Sequence, residues 1–219
     1  MSEAETALDK KKKQREIDKL DLEILSLTVE LESSRLGLKR FQDRDNNERS
    51  EAEHHRVYHF YGGVNHVSVA LAMNTIGQWA RKEVAPIEMV FNSPGGSIIE
   101  GLALYDFILS LRDKGHEVTT VGLGMVASMG GVLLQAGDHR IVGRNCHMLI
   151  HEASTYANGK ISDMEDEVAF VKRLQDRLVD ILSERSTLTK AEIKRRWKRR
   201  DWWIDAEQTV ALGFADEIR

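Results

Sequence analysis

The fold is decided by the stretch Val118-Thr-Thr-Val-Gly-Leu-Gly-Met-Val-Ala-Ser-Met-Gly-Gly131. Its first six residues have the β-branched, apolar character of a strand, and the glycines that follow predict a turn from Gly124. The apolar run from Gly131 to Ala136 then predicts a helix. Ser128 therefore lies where a strand turns into a helix, and the free N–H groups that open a helix suit an oxyanion. On this stretch alone, a serine that only caps the helix is an equally good interpretation.

Strand and helix patterns alternate on both sides of this stretch. Strands are predicted at 56–61, 87–91, 140–143 and 147–151, and helices at 67–82, 98–112 and 161–185. Thr189 predicts the N-cap of one more helix. This alternation indicates an α/β fold with a largely parallel sheet.

A second glycine-rich turn, Asn92-Ser-Pro-Gly-Gly-Ser97, also follows a predicted buried strand. Such turns can bind phosphate, but this one lacks the Gly-Lys-Ser/Thr of a nucleotide site. Its other use is to donate backbone N–H groups to an extended peptide or to an oxyanion.

A serine nucleophile needs a base, because its hydroxyl is a poor nucleophile near neutral pH. Among the eight histidines, His151 is distinguished because it ends its predicted strand. Sites in open parallel sheets gather at the carboxyl ends of strands. A lone histidine is more often structural, so the pattern makes His151 a candidate and no more.

Composition limits the function classes. The net charge of −4 does not indicate nucleic-acid binding. Residues 121–136 are too short and too polar to span a bilayer, and no secretory signal pattern opens the sequence, so we expect a cytoplasmic protein with no membrane association. The single cysteine, Cys146, excludes an intrachain disulfide and is expected to be a small buried residue.

The sequence divides near residue 50. Within residues 1–50, apolar residues recur in steps of three and four with one step of seven, which is the heptad pattern of a coiled coil, and a polar linker follows. The heptad positions are Ile17, Leu20, Ile24, Leu27, Leu31, Leu38 and Phe41. A second stripe, Leu22, Leu25, Val29 and Leu36, predicts a long amphipathic helix with a wide apolar face. Packing on its own domain is the alternative to pairing between copies or docking on a partner. Residues 51–219 form the second predicted domain.

Five stretches of the second domain occur in the order and near the spacing of one known family. They are Phe91-Asn-Ser-Pro-Gly-Gly-Ser, Gly101-Leu-Ala-Leu-Tyr-Asp, Ala127-Ser-Met-Gly-Gly-Val-Leu-Leu-Gln-Ala-Gly, Met148-Leu-Ile-His-Glu and Asp201-Trp-Trp-Ile-Asp-Ala-Glu-Gln-Thr-Val-Ala-Leu-Gly-Phe-Ala-Asp. Residues 56–219 thus resemble the caseinolytic protease proteolytic subunit, ClpP. The resemblance implies a crotonase-like ββα spiral, with 161–185 as a projecting handle helix.

The resemblance also implies a serine endopeptidase acting on peptides or unfolded proteins. Ser128 would be the nucleophile, His151 the base and then the acid, and Asp201 the residue that orients the imidazole. Asp205 is the rival acid. Gly96 and Met129 would donate N–H groups to the oxyanion, and the Gly95-Gly96 turn would bind substrate backbone. No metal or organic cofactor is implied. The resemblance implies that copies of the chain form heptameric rings that stack in pairs. It also implies a separate ATPase as a partner.

Three departures from the family concern the substrate strand and the assembly. His151-Glu-Ala lacks the proline usual after the catalytic histidine, and Ser154–Lys160 is a poor copy of the usual glycine-rich strand. Arg199-Arg200 replaces an acidic-basic pair that helps to join two rings, so a single ring is the alternative to a double one.

The N-terminal helix replaces short axial loops. It is expected to mediate self-assembly or to bind an ATPase or a capsid-type partner, as in the phage head-maturation proteases that such divergent chains resemble.

Two other functions compete with peptidase activity. Acyl-CoA hydratases and isomerases share the superfamily fold, but they need no serine-histidine-aspartate set. A catalytically silent scaffold or assembly protein, with the N-terminal helix as its working part, is the second alternative.

Overall fold

The computed structural model describes residues 16, 19–20, 22, 26–28, 30–39, 42, 54–156 and 158–219. The chain divides into two compact units, Met1–His54 and His55–Arg219. Every described residue of the first unit is helical. Its described heptad leucines, Leu20, Leu27, Leu31 and Leu38, are each more than half exposed. Ile17, Ile24 and Phe41 lie outside the described residues, and the coiled coil stays a prediction.

The second unit alternates strands and helices. The strands are β1 (Val57–Tyr61), β2 (Ile87–Ser93), β3 (Val118–Ala127), β4 (His139–Val142), β5 (His147–Ile150), β6 (Trp202–Ile204) and β7 (Glu217–Ile218). The helices are α1 (His66–Lys82), α2 (Ile98–Asp113), α3 (Met129–Leu134), α4 (Ile161–Glu184), α5 (Lys190–Trp197) and α6 (Ala206–Ala211). This order confirms the predicted α/β class.

The sheet is parallel except at one pairing. Neighbouring strands follow the order β1-β2-β3-β4-β7, and all these pairs are parallel. β5 leaves this path and pairs with β3 in parallel and with β6 in antiparallel. The sheet therefore forks at β3, and the branch of β5 and β6 carries two of the predicted site residues at its end.

The fork exists because β3 is longer than the sequence predicted. Its first half pairs with β4, from Thr119 with His139 to Gly122 with Val142. Its second half pairs with β5, from Met125 with His147 to Ala127 with Leu149. The predicted turn at Gly124 was therefore wrong. Gly124 has a φ of 64° and bends the strand, but hydrogen-bonding partners from β5 keep the chain extended up to Ala127.

The core lies between the sheet and the helices that cover it. Phe91 of β2, Leu104 and Ile108 of α2, and Leu133 of α3 are completely buried. The cap predicted at Thr189 is present. The Thr189 hydroxyl accepts a hydrogen bond from the Glu192 N–H at 3.3 Å, and the Glu192 carboxylate accepts one from the Thr189 N–H at 2.9 Å, which is a capping box.

Helix α4 is packed along only part of its length. Its C-terminal part buries Val179, Ile181 and Leu182, whereas nine of the ten residues 161–170 are exposed. Within the described part of the chain, no helix combines the length and the apolar character needed to cross a membrane.

Candidate active site

Ser128 lies on a strained turn between β3 and α3. Its φ of 54° and ψ of −120° are values that residues with a side chain rarely adopt, at a cost of ~1–3 kcal/mol. The Ser128 N–H donates to the Leu149 carbonyl oxygen at 2.8 Å, which ties the turn to β5. The Ser128 hydroxyl makes no capping hydrogen bond to α3. Ser128 thus occupies the N-cap position of α3 and is partly exposed, but the interpretation that its side chain caps the helix was wrong.

The second glycine-rich turn packs directly against this one. A Cβ atom at Gly95, whose φ is +90°, would lie 2.6 Å from Ser128 Cβ and 2.7 Å from the Ala127 carbonyl oxygen. At Gly96 a Cβ atom would lie 2.2 Å from the Val64 carbonyl oxygen. Only glycine fits at either position, because the backbones approach too closely for a side chain. The structure thus brings the predicted substrate turn against the predicted nucleophile.

Two backbone N–H groups at this contact find no acceptor among the described residues. Met129 is the first residue of α3, so its N–H has no partner within the helix. Among the described residues, none accepts from the Gly96 N–H, whereas the flanking Gly95 and Ser97 N–H groups donate to the Ser93 hydroxyl and the Val64 carbonyl. Such free donors beside a nucleophile can bind a developing oxyanion.

The Met129 side chain is held in a slot on α2. A Cβ atom at Gly101 would lie 2.3 Å from Met129 Cγ and 2.8 Å from its sulfur. Met129 itself is 1% exposed. Gly101 therefore provides the space that allows Met129, and with it the N–H group at the start of α3, to lie beside Ser128.

A single cavity of about 60 Å³ contains both Ser128 and His151 in its wall. The other lining residues are Gly96, Ile98, Val132, Met148, Ile150, Ala153, Ser154, Leu178, Leu182 and Trp197. Most of this wall is apolar, so the cavity suits an apolar side chain beside a polar reacting group.

His151 follows β5 directly, one step beyond Ile150. Its position next to Ser128 results from the parallel pairing of β3 with β5, which places the carboxyl ends of both strands at one edge. Among the described residues, the structure shows no hydrogen bond between the His151 ring and the Ser128 hydroxyl. Catalytic hydrogen bonds are often long before substrate binds, so the shared cavity wall is the relevant geometry.

Asp201 directly precedes β6, as His151 directly follows β5. Met148 pairs with Ile204, Leu149 with Trp203 and Ile150 with Trp202, and the pairing ends there. One further step of the same register would place His151 opposite Asp201. Asp201 is exposed, and no hydrogen bond joins it to His151 in the described structure.

The rival acid, Asp205, has a different role. The Asp205 carboxylate accepts a hydrogen bond from the Gln208 N–H at 2.8 Å, as the N-cap of α6. The same register places Asp205 four residues away from the partner position of His151. Its local bonds identify Asp205 as the capping residue of α6.

Cys146 is not a second nucleophile. The residue is 2% exposed, and burial raises the pKa of its thiol to about 11. Because only the thiolate attacks, this cysteine is unreactive near neutral pH. The expectation of a small buried residue is confirmed.

Sequence reasoning missed most of the cavity wall. Leu178 and Leu182 come from α4 and Trp197 from α5, far along the chain from Ser128. Apolar periodicity in a helix indicates burial, but not the surface against which a residue is buried. No local signal separates a residue that faces a cavity from one that faces the core.

Comparison with known proteins gives a consistent result. The sequence model of the Clp protease family matches residues 49–219. An ATP-dependent Clp protease proteolytic subunit 2 of Tropheryma whipplei is 36% identical over 135 residues, which cover 61% of this chain and 73% of the relative. Proteolytic subunit 1 of Leifsonia xyli is 35% identical over 135 residues (61% and 66%), and the Deinococcus radiodurans subunit is 35% identical over 134 residues (60% and 64%).

Proposed function

Since this chain belongs to the Clp protease family and is a serine-type endopeptidase, we propose that Ser128, His151 and Asp201 are its catalytic triad. The observation that carries the proposal is the cavity whose wall contains both Ser128 and His151. The third member is supported by the register of β5 with β6, which would place Asp201 opposite His151 if extended by one residue. The capping bonds of Asp205 argue against the other acid.

In the proposed reaction, the Ser128 hydroxyl oxygen attacks the carbonyl carbon of the scissile peptide bond. His151 accepts the hydroxyl proton, and the carbonyl oxygen becomes an oxyanion bonded by the Gly96 and Met129 N–H groups. The C–N bond then breaks as the His151 imidazolium gives its proton to the leaving amine. A water molecule, deprotonated by His151, then attacks the carbonyl carbon of the Ser128 ester. The ester C–O bond breaks as His151 returns the proton to the Ser128 oxygen, which releases the second product as a carboxylic acid.

Substrate binding follows from the same surface. We propose that an extended peptide lies along the Gly95-Gly96 turn as an added strand, with one apolar side chain in the cavity. The strain at Ser128 and the close contact with Gly95 hold the nucleophile in place before substrate arrives. This preorganisation reduces the cost of reaching the transition state.

The assembly is proposed from the relatives and from the part of the chain that the family model does not match. The relatives' names describe proteolytic subunits of ATP-dependent Clp proteases. We propose a homo-oligomeric, heptameric ring in the cytoplasm that acts on peptides or unfolded proteins. Residues 1–48 lie outside the segment that the family model matches, and we propose that this part binds an assembly partner, whether an ATPase or a capsid-type protein. Deleting residues 1–50 tests this, since unchanged assembly and partner binding would contradict it.

The catalytic proposal is tested with a fluorophosphonate probe and mass spectrometry. We expect wild-type protein to carry the adduct on Ser128. Ser128→Ala should remove labelling and lower peptide turnover on the order of 10⁴-fold or more. Ser110→Ala, which alters a helix serine bonded to the Phe107 carbonyl, is the matched control and should label normally. A folded protein that never labels in any assembly state would support the silent scaffold instead.

A further inference from the structure

His151 lies one residue beyond the last paired residue of its strand. The pairing of β5 with β3 ends at Leu149, and its pairing with β6 ends at Ile150. Among the described residues, no backbone–backbone hydrogen bond involves residues 151–154, and none is made by the His151 ring. The contact that holds segment 151–154 therefore determines how precisely the imidazole faces Ser128.

One side chain of α4 bonds to this segment. The Ala153 backbone N–H donates a hydrogen bond to the Gln175 side-chain oxygen at 2.8 Å. The amide of Gln175 must present its oxygen here, because a backbone N–H needs an acceptor. Proline would lack this N–H, so the alanine at position 153 makes the bond possible. The bond is partly buried, and a hydrogen bond is stronger where the local dielectric is lower.

Gln175 lies on the face of α4 that borders the active-site cavity. Leu178 and Leu182, three and seven residues further along the helix, are both in the cavity wall. Residues at this spacing share one face of a helix. Ala153 lines the same cavity. The Gln175 side chain therefore joins this helix face to the segment that carries the histidine.

The packing of α4 keeps Gln175 in place. The next residue, Asp176, accepts a hydrogen bond from Lys194 of α5 at 2.6 Å. Val179, one turn later, is completely buried. Gln175 thus belongs to the part of α4 that the domain holds, and a bond to its side chain can hold a segment that has no strand partner.

We propose that Gln175 is a positioning residue for His151, an inference that rests on the proposed function. The strand pairing fixes the backbone at Ile150, and the Gln175 side chain fixes it at Ala153. His151 lies between these two points, so its imidazole is held toward Ser128 from both sides. Loss of the Gln175 oxygen lets the segment move and lengthens the path of the proton from the Ser128 hydroxyl.

Two substitutions separate the hydrogen bond from the packing of the side chain. Gln175→Met keeps a similar length without the amide oxygen, whereas Gln175→Glu keeps an oxygen within reach of the Ala153 N–H. We expect Gln175→Met to lower kcat and the rate of fluorophosphonate labelling at Ser128 by the same factor, about tenfold, because both need the imidazole as a base. KM for a short peptide should stay close to wild type, since other side chains form the cavity wall. Gln175→Glu should recover most of kcat.

The matched control is Gln78→Met, the same change at an exposed position of α1, which should keep wild-type rates. The bond itself is tested at Ala153, whose amide should exchange its hydrogen faster in Gln175→Met than in the wild type. Ala153→Pro removes the N–H altogether. In that background, Gln175→Met should cause no further loss of kcat, because the two residues act through one bond.

The outcomes distinguish this proposal from that of the triad. Wild-type turnover and labelling in a folded Gln175→Met protein would overturn the role of Gln175 and leave the triad intact. An equal loss in Gln175→Glu, unchanged exchange at the Ala153 amide, or a further tenfold loss (roughly) in the Ala153→Pro background would overturn it too. A wild-type protein that never labels at Ser128 would overturn both proposals. Should Gln175→Met not fold, Gln175→Ala repeats the test.

Discussion

The turn that carries Ser128 and the segment that carries Asp201 differ in how firmly the monomer holds them. Ser128 is fixed by a hydrogen bond to Leu149 and by contact with Gly95. Asp201 is exposed and follows Arg199, which has a φ of 57°, with no hydrogen bond of its own to His151. Packing within the domain thus holds the proposed nucleophile, whereas no contact in the described structure holds the carboxylate of the proposed acid.

This difference matters because the two parts of a triad have unequal geometric demands. A nucleophile must approach a carbonyl carbon in a narrow range of directions, so a small displacement is costly. An acid that orients an imidazole acts through one hydrogen bond, which can form when substrate or a neighbouring chain closes the site. We therefore expect substitutions near Ser128 to lower kcat by displacing its hydroxyl. Substitutions at Asp201 should lower kcat by removing the carboxylate that orients the imidazole.

The largest effect on kcat is expected from removing the Asp201 carboxylate. Asp201→Asn should lower kcat on the order of 10³-fold, because the imidazole loses the carboxylate that orients it and stabilises its charge. The melting temperature should hardly change, since Asp201 makes no hydrogen bond in the described structure. Turnover of a fluorogenic peptide and thermal unfolding measure the two effects.

Asp205→Asn is the matched control for that substitution. Asparagine still caps a helix, so both turnover and stability should stay close to wild type. Asp205→Ala removes the cap and should cost about 1 kcal/mol of stability with turnover preserved. A large loss of kcat in a well-folded Asp205 variant, with Asp201→Asn fully active, would exchange the two roles.

A substitution at Gly95 tests whether contact with this residue positions Ser128. Gly95→Ala should lower kcat on the order of 10²-fold, because the new Cβ would lie 2.6 Å from Ser128 Cβ and must displace the nucleophile. We also expect a loss of about 2 kcal/mol of stability in urea unfolding, from the clash and the positive φ. Gly62→Ala is the control, since Gly62 has a similar φ of +100° but nothing within 4 Å of an added Cβ. Equal effects of the two substitutions on kcat would show that Gly95 does not position Ser128.

A smaller effect is expected at Gly101. Gly101→Ala should lower kcat about tenfold with KM unchanged, because the new Cβ would press on Met129 and move its N–H group. Met129→Ala added to Gly101→Ala should restore part of the lost kcat, since it vacates the slot but keeps the N–H. Gly77→Ala, in a helix where an added Cβ meets only ordinary contacts from 3.4 Å, should leave kcat unchanged. Failure of the double substitution to recover any activity would contradict this role.

The sequence predicted those parts of the site that depend on local signals, but it could not choose between the two candidate acids. Glycines at 95 and 96 and the strand-to-helix position of Ser128 are local signals, and the structure brings these residues together. The choice between Asp201 and Asp205 could not be made from local composition, because both follow the same basic run. It depends on which carboxylate a helix terminus engages, and only the folded chain shows that Asp205 bonds to Gln208.

The sequence by itself determined the type and order of the elements, because the spacing of apolar residues and the caps act within one or two turns of chain. It predicted α4 at 161–185 and the structure has it at Ile161–Glu184; it predicted the cap at Thr189, which is present. Only the tertiary structure decided that β3 continues to Ala127, that Leu178, Leu182 and Trp197 close the cavity, and that α4 leaves half its length exposed. Each of these depends on a partner distant in sequence, since a hydrogen bond or an apolar contact is fixed by the surface that receives it.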